Sequence, residues 1–310
     1  MPINQNLSRQ YSGLELFAKG VVEGFLTGLH RSPYHGFSVE FSEHRSYNSG
    51  ESTKNVDWKL YGKTDRLYVK KYEEETNLRC QLVIDNSSSM YFPVDGGNRA
   101  VGQRNKMDFS IHAAAAFMQL LKTQRDASGL SIYNEKLELH LPAKVANSHL
   151  QLMTQKLDEL IDSKPTIAKS TNTVQALHEI AEKIPRRSLV ILFSDFFDGS
   201  KGTEELFLAL QHLRHNHHEI IIFNVTDKQF EYDLAFENRP HTFVDMETGE
   251  KVNLNPIQLK THYQKATQAF EKELKIRCGQ FQIDYNLIDI QEGFSPLFLA
   301  YLAKRARMIR

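Results

Sequence analysis

"CQLVIDNSSSMYF", Cys80 to Phe92, is an apolar run that stops at an aspartate and passes into three serines. A nearly continuous apolar run of this length reads as a strand buried on both faces of a parallel sheet. Asp85, Ser87 and Ser89 alternate, so their three side-chain oxygens can point the same way. Three readings follow from that spacing. The oxygens can bind a metal, form a nucleophile site, or cap the next helix by accepting from free N–H groups.

Working outward, the same texture recurs. "KMDFSIHAAAAFMQLLKTQ" predicts a helix rich in Ala and Leu, and "ASGLSIYNEKLELHLP" two strands about an Asn-Glu turn. "SHLQLMTQKLDELIDS" and "TVQALHEIAEKI" are amphipathic helices, followed by the apolar run "SLVILFSD". The helix "TEELFLALQHLRHN" and the strand "EIIIFNV" come next. "FVDMETGEKV" reads as a hairpin turning at Glu247 to Gly249. A long helix around Ile257 to Cys278, the strand "QIDYNLID" and the helix "SPLFLAYLAKRA" close the chain. Strands alternating with helices of this length imply a mostly parallel sheet covered by helices on both faces, an α/β fold. In such sheets ligands bind beyond the carboxyl ends of the strands, where "VIDNSSS" and "ILFSDFFDG" deliver polar residues.

Ahead of this region, Ser12 to His30 carries apolar residues at helical spacing, and residues 31–75 mix Gly, Ser and Asn turns with short alternating segments. The expected organisation is a helix and small β-rich extension over 1–78, then the α/β domain over 79–310.

Composition narrows the function. Lys plus Arg and Asp plus Glu number 38 each, which argues against a domain built around nucleic-acid phosphates. The basic "AKRARMIR" at the end reads as a solvated tail. No apolar run approaches the roughly 20 residues that span a bilayer, and the first residues lack a signal-peptide layout. Cys80 and Cys278, far apart in apolar segments, read as buried free thiols. Together these features predict a cytoplasmic protein.

Three pieces of the chain can meet at the carboxyl edge: Asp85 with Ser87 and Ser89, Thr171 just before a helix, and Asp195 after an apolar strand. They offer two carboxylates and three hydroxyls. Hard oxygen donors with few charges suit Mg²⁺, or Mn²⁺, and leave a bound ion electrophilic toward an acidic ligand.

This pattern resembles the metal-ion-dependent adhesion site of von Willebrand factor A domains, which reads Asp-x-Ser-x-Ser, then Thr, then Asp. Ala176 and Leu177 keep that family's spacing after Thr171, whereas Lys169-Ser170 stand where it often has Gly-Gly. The likeness extends further. Arg45, Tyr47, Gly50, Glu51, Asp57 and Trp58, with "LYVKKYEEE" and "FVDMETGEKV", make the chain similar to the bacterial domain of unknown function 58 family. That resemblance implies a von Willebrand factor A-like (Rossmann-like) fold. It also implies a metal-dependent adaptor, not an enzyme, working with a MoxR-type AAA+ ATPase or its client.

Other chemistries fit less well. A haloacid dehalogenase-type phosphatase needs an Asp two residues after its nucleophile, where Ser87 stands. A serine hydrolase needs glycines that are missing around Ser87 to Ser89. There is no phosphate-binding loop of Walker type. A metal-dependent phosphoesterase and a structural module without metal remain as alternatives. His215, His217 and His218 read as a solvated helix end, Asp198 as a turn residue, and Trp58 as a packing anchor. Arg45 and Glu51 read as a structural pair across a turn.

Overall fold

The computed structural model describes residues 13–29, 44–46, 58–64, 68–70, 78–94, 104–161, 173–196, 203–246 and 248–308. They fall into two compact units, one within Leu26–Asn77 and one made of the rest.

The apolar runs form strands, as their patterns predict: β3 (Arg79–Asp85), β4 (Ala127–Tyr133), β6 (Leu189–Ser194) and β7 (Glu219–Thr226). Every residue of β4 and β6 is buried, because helices cover both of their faces. With β5 (Leu137–Lys144) and β10 (Asp284–Asp289) they build a six-stranded sheet in the order β10-β7-β6-β3-β4-β5. All neighbours are parallel except β5, which pairs antiparallel with β4. As an edge strand, β5 alternates in burial and tolerates Pro142. The mostly parallel α/β class expected from the sequence is the one observed.

Helices α5 (Thr173–Lys183), α6 (Thr203–His215) and α7 (Pro256–Gln280) bury their apolar stripes on one sheet face. Ile180, Leu210 and Leu213 there meet Val190, Leu192 and Ile222. On the other face Phe117 of α3 (Lys106–Thr123) meets Phe193 and Phe223 of the sheet, and Phe298 and Tyr301 of α8 (Ser295–Met308). The helix α4 (Asn147–Ile161) packs beside α3. The first helix, α1 (Gly13–Leu29), buries Leu14, Ala18 and Val22 at four-residue spacing. Its Phe17 reaches His112 of α3, with ring centroids 4.7 Å apart.

One close approach needs glycine. A Cβ on Gly129 of β4 would lie 2.7 Å from backbone atoms of both Leu141 and Ala143 on β5. Those atoms cannot rotate away, so Gly129→Ala should lower stability by about 1–3 kcal/mol through strain. A lower urea midpoint at an unchanged m-value would show it.

The smaller unit holds β1 (His44–Ser46) and β2 (Tyr68–Lys70), paired antiparallel, with α2 (Trp58–Thr64) between them in sequence. The helix was not expected in a segment read as irregular β structure. Seven residues, two of them aromatic, are too few to show a helical period. The hairpin β8 (His241–Val244) and β9 (Lys251–Leu254) lies where predicted. Gly249 takes φ +75° in its turn, and its N–H donates to the Asp245 carbonyl at 2.8 Å. Both cysteines are buried and free. The histidine group is corrected in part: His215 and His217 are exposed, but His218 is wholly buried and accepts at Nδ1 from the Ser188 N–H. No helix among the described residues is long and apolar enough to cross a membrane.

Candidate functional site at the switch point

The chain order of the sheet places β3 beside β6, and successive connections leave these two strands in opposite directions. That is the point where a doubly wound sheet opens a crevice at its carboxyl edge. Asp85 ends β3, and Asp195 directly follows β6. Ile84 pairs with Phe193, so the next residues, Asp85 and Ser194, stand level.

Asp85 is almost wholly buried. Its Oδ2 accepts from the Ser194 hydroxyl at 2.7 Å and the Tyr133 hydroxyl at 3.3 Å, and its Oδ1 from the Ser87 N–H at 2.9 Å. Burial, then the neighbouring Asp195 charge, push its carboxyl up to about 7, although the Ser194 and Ser87 hydrogen bonds pull the other way. Tyr133 is in turn held well above its ordinary value by burial and by Asp85.

The serines behave differently from caps. Ser87 precedes a single 3-10 turn, Ser88–Tyr91, but its side chain makes no capping hydrogen bond. Instead Ser87 Oγ lies 3.0 Å from Ser89 Oγ, with both residues buried. Two ligands of an octahedral Mg²⁺ at about 2.0–2.1 Å sit roughly 2.9 Å apart, so this pair has the spacing of neighbouring ligands. Among the described residues no three His, Cys, Asp or Glu side chains are grouped to hold a metal. An ion here would therefore rest mainly on hydroxyls and water, which suits Mg²⁺ or Mn²⁺ and not zinc. Asp85, Ser87 and Ser89 offer donors of the kind such an ion takes, while Asp195 is occupied by Lys106. Thr171, Asp198 and the Lys169-Ser170 loop lie outside the described residues.

Sequence reasoning missed Lys106. It opens α3 and is buried, with Nζ 2.7 Å from Asp195 Oδ2 and 2.5 Å from Glu231 Oε1. Burial opposes its charge, yet Asp195 and Glu231 more than offset this and hold its proton affinity above the ordinary lysine value. Glu231 lies in a π-helical turn, Lys228–Tyr232, and its Oε2 accepts from the Thr226 hydroxyl at 2.7 Å and the Asp227 N–H at 2.9 Å. A signal was available: a cation at a helix N-terminus opposes the helix dipole and calls for acidic partners nearby. Phe196, next to Asp195, adopts φ +48°, a region bulky side chains rarely occupy. This turns its N–H onto Ser194 Oγ at 3.1 Å and stores local strain beside the site.

A family model described as "Protein of unknown function DUF58" matches residues 43–273, well over half of the chain. The chain belongs to this family. The DUF58 resemblance read from the sequence is thus borne out. Arg45 lies in β1 and Trp58 opens α2; Tyr47, Gly50, Glu51 and Asp57 lie outside the described residues. Uncharacterized proteins of Mycobacterium tuberculosis and Mycobacterium bovis are 26% identical over 183 residues, 59% of this chain and 55% of theirs. The DUF58 chain therefore spans about half the length of the curated relatives it matches. Among solved structures it is similar to the conserved hypothetical protein BatB from Bacteroides thetaiotaomicron, at 11% identity and a TM-score of 0.43 over 75% of this chain and 98% of that one. It is also similar to a von Willebrand factor type A protein from Catenulispora acidiphila, at 14% identity and a TM-score of 0.34 over 52% and 34%.

Proposed function

We propose that this DUF58 chain is a non-catalytic adaptor that recognises an acidic residue of a partner protein at the switch point, through a divalent ion. Asp85, Ser87, Ser89, Thr171 and Asp195 would hold the ion, Mg²⁺ or Mn²⁺. The observation that carries this is the buried pair of hydroxyls at 3.0 Å beside Asp85, free of any capping duty. A bound ion supplies an electrophilic position that a partner carboxylate can fill.

The chain's own residues set the charge of that position. Lys106 already neutralises part of the Asp195 and Glu231 charge. Among the described residues, Asp85 is then the carboxylate without a cation among its hydrogen-bond partners. A single uncompensated carboxylate and neutral hydroxyls leave an ion with positive charge to spare, which an acidic partner completes. The attraction is worth more in this half-dry crevice than in bulk water. The partner proposed is a MoxR-type AAA+ ATPase, on the family resemblance.

Titration calorimetry tests the reading. Mg²⁺ should bind wild type and lose at least about tenfold in affinity in Asp85→Ala and in Ser87→Ala. A purified MoxR-type ATPase should bind in Mg²⁺ and release in chelator. Equal Mg²⁺ binding by Asp85→Ala would sink the site, and chelator-insensitive binding would sink the bridge.

A further inference from the structure

Beside the switch point, the carboxyl ends of β6 and β7 and one face of α7 line a half-open cavity of about 310 Å³. Its walls carry four aromatic rings, those of Phe196, Tyr232, Tyr263 and Phe270. Three carboxylates, Asp195, Glu231 and Glu271, also line it, and among the described residues no lysine or arginine does. Their surroundings differ. Both oxygens of Glu231 are engaged, by Lys106 on one side and by Thr226 and the Asp227 N–H on the other. Asp195 is paired with the same lysine. Glu271, half-buried, receives one long hydrogen bond among the described residues, from the Tyr232 hydroxyl at 3.4 Å. Among the described residues, Lys106 is thus the one ammonium bonded to any of these three carboxylates; Lys228, paired with Glu292, acts on Glu271 only from outside the lining, and the remaining charge sits among aromatic rings.

Each class of occupant can be weighed against this chemistry. An apolar group filling the cavity would strip water from Glu271 and give nothing back. An anion would meet three like charges. An organic cation answers both features, because its charge pairs with Glu271 and its body is attracted to the ring faces. A hydrated metal ion gains less, since aromatic walls cannot replace its water ligands.

We infer that this cavity is a binding site for an organic monocation with a short apolar stem, of the kind carried by an arginine or lysine side chain or by a free alkylamine. The cavity shares Asp195 with the proposed divalent-ion position, but its reading does not depend on an ion being bound there. If a partner supplies the cation, its docking segment would carry a basic residue close to the acidic one.

The test uses the full chain in chelator at constant ionic strength. Ligand-observed NMR compares n-butylguanidinium, its neutral isostere n-butylurea, and pentanoate. Butylguanidinium should bind at least about tenfold more tightly than butylurea, pentanoate should not bind, and Glu271→Gln should remove the preference for charge. Glu271 is half-buried with one weak bond, so this variant should fold; its thermal melt checks that. Phe270→Ala should weaken the guanidinium as well. Tighter binding of the peptide acetyl-Gly-Arg-Gly-amide than of butylguanidinium would identify the source as a protein segment, and the reverse a free amine. Equal binding of butylurea, unchanged binding in Glu271→Gln, or no binding at all would overturn the inference. Because chelator is present throughout, failure of the Mg²⁺ titration leaves this result standing, and the converse holds too.

Discussion

Lys106→Met is expected to destabilise the protein by about 3–5 kcal/mol, the loss typical when one partner of a buried ion pair is removed. The lysine and Asp195 expose 1% and 5% of their side chains and Glu231 15%, so water cannot take over the role of the ammonium. Methionine fills similar space, which separates the charge effect from cavity formation. Urea unfolding of the larger unit measures the loss. Two further results identify its origin. Adding Glu231→Gln to Lys106→Met should recover part of the stability, since one orphaned charge is removed. Mg²⁺ should also stabilise Lys106→Met more than wild type, because a ligand of the folded state acts by mass action and the variant's crevice is more negative. If the two substitutions simply add, Lys106 is not the counter-ion of these carboxylates.

Asp85→Asn should act in the opposite direction. The folded carboxyl holds its proton up to about 7, above the ordinary 3.8, so the native state binds the proton more tightly than the unfolded chain does. Stability from this group is fully present at low pH, and it is lost as pH rises from about 4 through about 7. Above that window the ionised carboxylate is a standing cost to the metal-free protein. Asparagine keeps the shape and can still accept from the Ser87 N–H. The variant should therefore be more stable than wild type at pH 8 by a few kcal/mol, with little difference at pH 4. Chemical denaturation at the two pH values provides the comparison, and a variant less stable at pH 8 would refute it. The same variant should lose Mg²⁺ affinity. A residue whose removal stabilises the fold while abolishing binding is held for function and not for structure.

How much was legible follows from the physics of each signal. β3, β6 and β7 were readable because strands buried on both faces are built mostly of apolar residues. The helices were readable wherever their length allowed several turns of repeat. α2 spans seven residues and the turn holding Glu231 five, and neither is long enough for a period to show. Asp85, Ser87, Ser89 and Asp195 stood out through their spacing and their place at strand ends. Lys106 did not, because its role depends on Asp195, 89 residues away, and on Glu231, 125 residues away. Pairings at that distance are set by topology. The cavity beneath α7 was invisible for the same reason: its rings come from three separate segments.

The neighbouring positions of β3 and β6 have a consequence for how the protein comes into being. The hydrogen bond from Ser194 to Asp85 spans 109 residues of chain. On an emerging chain, Asp85, Ser87, Ser89 and Lys106 all leave the ribosome well before Asp195 and Ser194. A nascent or truncated chain thus displays the opening motif without the crevice, and the acid that loads Lys106 arrives only when β6 docks beside β3. The crevice is in this way completed only once the central strands have assembled.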